Sequence, residues 1–225
     1  MQTFIDNFAT IWSGFATTLW LLFFSAILST VMGTLLASFR VSPIPTLRAV
    51  GTSYVNVFRN TPLVLILAMT SGVMPILGLK VDIDVGFRTF TSQFVLATLG
   101  LSFYTAAFVC EAVRSGVNSV ALGQAEAARA IGMGFTLSLR EVVLPQAFRA
   151  VIPPLTSTYI ALAKNTSVVA IFGVPDAAYY MRKLGNQYAS DLWFIFIGIA
   201  AGYVLIVMAI SLAGNLLERR LVVLR

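Results

Sequence analysis

The sequence predicts an all-α polytopic membrane protein: five transmembrane helices in one domain covering residues 1–225. Three observations predict it. Hydrophobic residues make up 58% of the 225 residues and charged ones 11%, against roughly 45–50% and 25% in a soluble domain. The apolar residues fall in runs long enough to cross about 30 Å of hydrocarbon, which takes about 20 helical residues. The alternating ten-residue pattern of an outer-membrane barrel is absent, which leaves the helix as the structure that satisfies its own backbone polar groups in lipid.

The first span is read at 18–39. The residues before it do not form a cleavable signal, because the first seventeen hold no Lys or Arg, carry Asp6 and run into an apolar stretch too long for such a segment. The next apolar stretch, 50–79, is too long for one straight crossing and contains Arg59 and Pro62. It reads as an interfacial helix to about Asn60, a kink at Pro62, and a crossing over 61–79. The third span, 94–110, ends on Cys110, a small packing residue. The fourth is 152–172, with Lys164 and Asn165 near its middle. The fifth, 192–217, holds Gly198-Ile199-Ala200-Ala201-Gly202, a spacing that lets helices approach closely, either within one bundle or between two copies.

The connection at 111–150 is the longest polar one, yet it reads as structure. Residues 121–131 are rich in helix formers, Gly132 and Gly134 can end that helix, and Thr136 can cap a second one running to Leu144 before Pro145. Two helices this short need a surface to pack on. That surface is either the lipid interface or a cytoplasmic partner.

Net charge is +6, but the fifteen Lys and Arg lie singly between apolar runs, whereas a nucleic-acid surface needs them clustered. One cysteine and no histidine exclude internal disulfides, Zn fingers and His-based acid/base catalysis, and no residue set for an enzyme or a metal site is present. The basic residues set the orientation. With the N-terminus outside, Arg40, Arg48, Arg114, Arg129, Arg140, Arg149, Arg219, Arg220 and Arg225 fall inside, against Lys80, Arg88, Arg182 and Lys183 outside. No G-x-x-x-x-G-K-[ST] loop exists, so energy from ATP must come from another polypeptide.

The run Glu126-Ala127-Ala128-Arg129-Ala130-Ile131-Gly132, nine residues, then Val142-Val143-Leu144-Pro145 resembles the EAA loop of ABC importer permeases, with Val142 in place of the usual Ile. Three further stretches are similar to permeases for polar amino acids, and in overall pattern to those for glutamate. They are Arg59-Asn60-Thr61-Pro62-Leu63, Glu111-Ala112-Val113-Arg114-Ser115-Gly116, and Lys164-Asn165-Thr166-Ser167 followed by Gly173-Val174. The resemblance covers nearly the whole chain. It implies a type I permease fold in the cell membrane of a prokaryote, with Gly123, Glu126, Ala127, Ala128, Gly132, Leu144 and Pro145 coupling to two ATP-binding subunits. Those subunits would bind the ATP and Mg; this chain holds no cofactor. A second permease chain, identical or homologous, and an extracytoplasmic solute-binding protein docking on 72–91 and 174–191 are implied as partners.

Lys164 at mid-span costs about 2.5–3.5 kcal/mol on insertion scales, and something must offset it. Either Lys164, Asn165, Thr166 and Ser167 line a polar cavity with Asn60 and Thr61 and contact the substrate, or Lys164 pairs with Glu111. The neutral amide of Asn165 does not repel an anion, which favours an acidic or neutral polar amino acid. Arg59 either snorkels to the interface, pairs with Glu111 or touches substrate. Arg114 anchors the third span, and Glu111 holds a gate through Arg59 or Arg114. The competing class is a stand-alone secondary transporter or channel, for which no internal inverted repeat is visible.

Overall fold

The computed structural model describes residues 2–86 and 89–221. Arg88 and Arg225, counted above for orientation, lie outside the described residues. The elements in order are α1 (Gln2–Asp6), α2 (Phe8–Val41), α3 (Pro45–Asn60), α4 (Leu63–Leu67), α5 (Met74–Ile76), a two-strand antiparallel hairpin of β1 (Ile83–Asp84) and β2 (Thr89–Phe90), α6 (Ser92–Asn118), α7 (Leu122–Ala130), α8 (Phe135–Ser138), α9 (Leu144–Asn165), α10 (Ala177–Gln187) and α11 (Leu192–Leu221).

The most apolar stretch of α6 is 67% buried, against 22% for α2 and 11% for α11, so α6 is the central post. Leu21 of α2, Leu67 of α4, Phe94, Ala97 and Leu101 of α6 and Leu162 of α9 form one core around it. The contacts with α2 and α9 are backbone-close. A side chain at Gly33 of α2 would stand 2.6 Å from Val109 Cβ, and one at Gly116 of α6 would collide with Val151 of α9.

Among the described residues three helical segments are long and apolar enough to cross a membrane: Phe8–Val41, Ser92–Asn118 and Ala189–Leu221; α3 with 63–76, bent by 105°, makes up to a fourth. The kink falls where Pro62 put it. The stretch expected as the fourth span is helical, but Pro153, Pro154, Lys164 and Asn165 leave it outside that set.

Several boundaries differ from expectation. α2 begins at Phe8, ten residues before the expected start, because Ser13 and Thr17 donate their hydroxyls to their own helix's carbonyls, at Thr10 O (2.7 Å) and Ser13 O (3.1 Å), and so do not break it. α6 runs on to Asn118, which places Glu111 and Arg114 inside the helix rather than in the connection. The second helix of that connection starts at Phe135, so Thr136 lies within it instead of capping it. Nor does this helix stop at Pro145. A π-helical stretch, Leu139–Val143, carries it into α9.

The reason is the proline itself. Its ring clashes with the carbonyl four residues back, and the wider i→i+5 turn relieves that clash. The second span uses the same device: the π stretch Ala68–Val73 ends two residues before Pro75, as Leu139–Val143 ends two before Pro145. The Gly198/Gly202 alternative is resolved within the chain, since the rings of Phe4 and Phe15 occupy the space those glycines leave.

Candidate functional site

Glu111 gathers three arginines from three helices. Its carboxylate bonds Arg40 of α2 and lies 3.5 Å from Arg59 of α3 and 3.6 Å from Arg114 one turn along α6. The Arg40 side chain is 11% exposed and that of Arg59 is 46%, so the sheltered partner is the one the sequence reading left as an inside-loop charge. The Lys164 alternative is corrected here: Glu111 is taken by arginines, and among the described residues Lys164 makes no ion pair.

α3 is fixed onto α6 by Tyr54, whose hydroxyl donates to Phe103 O at 2.8 Å, and by Phe58 against Phe103. That contact aims the Arg59 guanidinium over the ring of Phe108, 5.8 Å from its centre. Phe108 in turn lines a cavity of about 390 Å³ with Tyr104 and Thr105 of α6 and Ser157, Thr158, Ala161 and Asn165 of α9. Tyr104 stands midway along α6, a helix of 27 residues and hence about 40 Å long, so this cavity lies at the middle of that helix. Its lining offers hydroxyls and one amide and no carboxylate, and behind the Phe108 ring stands the Arg59 guanidinium, itself 3.5 Å from Glu111.

The expected quartet is split three ways. Asn165 lines that cavity. Lys164 and Ser167 line a different one of about 450 Å³, walled by Met181 of α10 and Phe196, Tyr203 and Val207 of α11. Thr166 is wholly buried and donates to Ala163 O at 2.7 Å, as Ser167 donates to Lys164 O at 2.7 Å. These two hydroxyls sit where α9 tightens into the 3₁₀ turns of Thr166–Phe172; Lys164 and Asn165 part already within α9, where successive side chains point about 100° apart. Asn60 and Thr61 end α3 with their side chains donating to Asn56 O and Val57 O, both at 2.8 Å, beside Arg59.

Asp176, in the connection between the last two expected spans, caps α10 by accepting from Tyr179 N–H (2.8 Å) and also accepts from the Tyr203 hydroxyl (3.0 Å). It is fully buried. That burial pushes its carboxyl up to about 6, and the bonds from Tyr179 and Tyr203 hold the rise back.

On the other side of the fold α7 is presented rather than packed. Gly123, Glu126 and Ala127 are exposed, Ala128 is buried, and Leu144 and Pro145 are exposed at the start of α9. Gly132 ends α7 with φ +90°, and Met133 N–H closes back on Ala128 O at 3.1 Å; a residue with a side chain is strained in that conformation.

A match to the family described as "Binding-protein-dependent transport system inner membrane component" spans residues 29–223. The chain belongs to that family. The permease is 41% identical over 208 residues to the glutamate transport system permease protein GluC of Corynebacterium efficiens, covering 91% of each chain. It is 35% identical over 217 residues to the glutamate/aspartate import permease protein GltJ of Escherichia coli, covering 93% of this chain and 86% of the other. A crystal structure of an amino acid ABC transporter with histidines superposes with TM-score 0.84 at 27% identity, covering 97% of each chain.

The permease is therefore a multi-helix inner-membrane transport subunit of type I permease fold in an amino-acid ABC importer, and ATP hydrolysis belongs to a separate chain. Its family works with an ATPase, a binding protein and a second permease. The sequence reading missed Arg40, Tyr104, Ser157, Thr158 and Asp176. A signal for part of this set was present: Ser157, Ala161 and Asn165 recur every fourth residue, one stripe on a helix face.

Proposed function

We propose that this permease carries glutamate, or a closely related acidic or neutral polar amino acid, past Asn165, and that it spans the membrane five times with its N-terminus outside. One observation carries the reading: a cavity at mid-length of α6 whose lining supplies hydroxyls and an amide without a carboxylate, with the Arg59 guanidinium behind its Phe108 wall. Neutral donors and acceptors suit the α-amino and α-carboxylate groups, and Arg59 at the Phe108 end attracts a second carboxylate while repelling a cationic side chain. The similarity to GluC and GltJ, named for glutamate and aspartate, supports the same substrate class.

Two ATP-binding subunits, holding ATP and Mg, seat on α7, with Glu126 offering the charge and Ala127 the close approach. A push on α7 reaches the cavity through α9. Gln124 of α7 accepts from Gln146 in the first turn of α9, Val151 is keyed against Gly116, and the same helix ends at Asn165. The Glu111–arginine node ties α2, α3 and α6 below the cavity as an inner gate. The solute-binding protein delivers substrate at the outer loops, 72–91 and 174–191.

The test is uptake by the reconstituted importer of labelled glutamate, glutamine and arginine, for the wild type and Asn165→Asp. Wild type is expected to prefer glutamate or glutamine over arginine, and the added carboxylate to shift preference toward arginine. Equal uptake of glutamate and arginine by the wild type defeats the reading.

A further inference from the structure

Toward their outer ends α2 and α11 touch: the Phe15 ring fills the space beside Gly202 and packs on Tyr203, ring centres 5.8 Å apart. Further along, the two helices leave between them an open groove of about 440 Å³, floored by α9. Leu22 and Ala26 wall one side, Ile210 and Leu217 the other, and Ile152 and Tyr159 lie on the floor. The two polar side chains of the lining are already spent. Thr156 donates to Ile152 O at 3.0 Å, and the Tyr159 hydroxyl is bonded to Thr30 of α2 at 2.6 Å. Water there finds no partner, whereas a hydrocarbon chain buries against every wall.

The groove has the length of one leaflet. Ile210 and Leu221, which mark its ends on α11, are eleven positions apart, about 16 Å of helix and half of a hydrocarbon core of about 30 Å. The surface around it suits lipid: Phe23 and Ile27 on α2 and Leu205 and Leu212 on α11 are exposed. Trp12 and Trp193, exposed near the outer ends of the same two helices, stand where tryptophans settle at a membrane interface.

The other mouth of the groove is basic. Arg149 lies three residues before Ile152 and Arg220 three after Leu217, so each continues a groove-lining face of its helix. Both are exposed, and among the described residues neither makes an ion pair. Glu218, the carboxylate of that turn, has Arg219 beside it. With the N-terminus outside, as proposed above, this mouth is cytoplasmic, and basic residues between helices on that side take up anionic head groups.

We infer that this groove binds an anionic phospholipid, with one acyl chain lying between α2 and α11 on the floor of α9 and the phosphate at Arg149 and Arg220. The bound chain splints α11 to α9, the helix that begins beside the coupling loop and ends at Asn165. A zwitterionic phospholipid offers the same chain but brings a cation to the two arginines, so the mouth selects by charge.

The test titrates the detergent-purified importer with dioleoylphosphatidylglycerol or dioleoylphosphatidylcholine and counts bound lipid by native mass spectrometry. Wild type is expected to hold the anionic lipid about tenfold more tightly. In the Arg149→Gln/Arg220→Gln double variant that preference should fall to about twofold or less, while Arg48→Gln, at an exposed arginine of α3 outside the groove, keeps it. Ala213→Phe fills the groove from the α11 wall and should lower retention of both lipids. In vesicles, phosphatidylglycerol carrying a diazirine at the end of its acyl chain should label the peptides around Tyr159 and Ile210. Equal retention of the two lipids by wild type or an undiminished preference in the double variant overturns the assignment. So does label confined to other helices, the result expected where a protein chain covers the groove. None of these readouts depends on the solute carried.

Discussion

The Glu111 node ranks its three arginines by shelter, and the ranking is measurable. Arg40 is 11% exposed and directly bonded to Glu111, whereas Arg59 and Arg114 are 46% and 40% exposed at 3.5 and 3.6 Å. Removing one partner of a buried pair costs about 3–5 kcal/mol, because the other charge is left without compensation. Glu111 is 29% exposed, so solvent screens part of that, and about 2–3 kcal/mol is the expected cost of Arg40→Met. Exposed pairs at the other two distances contribute about 0.2–1 kcal/mol. For a chain of this size each kcal/mol moves the unfolding midpoint by about 2–4 °C. Arg40→Met should therefore lower the midpoint of the detergent-solubilised importer by about 4–12 °C, and Arg114→Met by no more than about 4 °C. In a double-mutant cycle with Glu111→Gln, the Arg40 coupling should exceed the Arg114 coupling by about 1 kcal/mol or more. Equal shifts for the two arginines, or an Arg40/Glu111 double variant whose loss is the plain sum of the singles, would refute the idea that α2 is tied to α6 through this pair.

Two further outcomes follow from single residues. Gly132→Val forces a β-branched residue into φ +90°, a strain of about 1–2 kcal/mol at the end of a nine-residue helix; glutamate moved per ATP hydrolysed by the importer should fall, and an unchanged ratio would count against α7 as the lever. Asp176 concerns pH: a carboxyl raised from 3.8 to about 6 is held protonated better by the fold than by the unfolded chain. Its contribution is fully present below about pH 4, is lost as pH rises through 6 and is flat above, a change of at most about 3 kcal/mol. Wild type should thus lose thermal stability between pH 4 and 6.5 relative to Asp176→Asn, and parallel curves would rule the burial argument out.

The sequence announced the fold's local features where the cause was local. Pro62 broke α3 from α4, Gly132 ended α7, and hydropathy located α2, α6 and α11. It misjudged the effect of Pro145 because a helix can bend and run on through a proline, as α9 does at Pro153 and Pro154. Two π stretches, each ending two residues before a proline, let the chain continue, and no residue pattern at 139–143 advertises that widening. The early start of α2 was hidden because hydropathy marks the apolar run and not the helix, and Ser13 and Thr17 extend the helix with their hydroxyls bonded to its own carbonyls.

The candidate site was legible only one helix at a time. Arg59 stood out as a charge in an apolar run and Glu111 through its motif at the head of the polar connection, but Arg40 is 71 residues from Glu111 and only the crossing of α2 on α6, set by Gly33 against Val109, brings them together. Lys164 and Asn165 are neighbours in sequence yet look into different cavities, because successive side chains leave a helix about 100° apart. Residues four apart on a helix share a face, as Ser157, Ala161 and Asn165 do, with Thr158 and Leu162 at the flank of the same wall. That is why Ser157, Ala161 and Asn165 line the cavity that Lys164, Thr166 and Ser167 do not, and why a search for function on a membrane helix should look for stripes rather than runs.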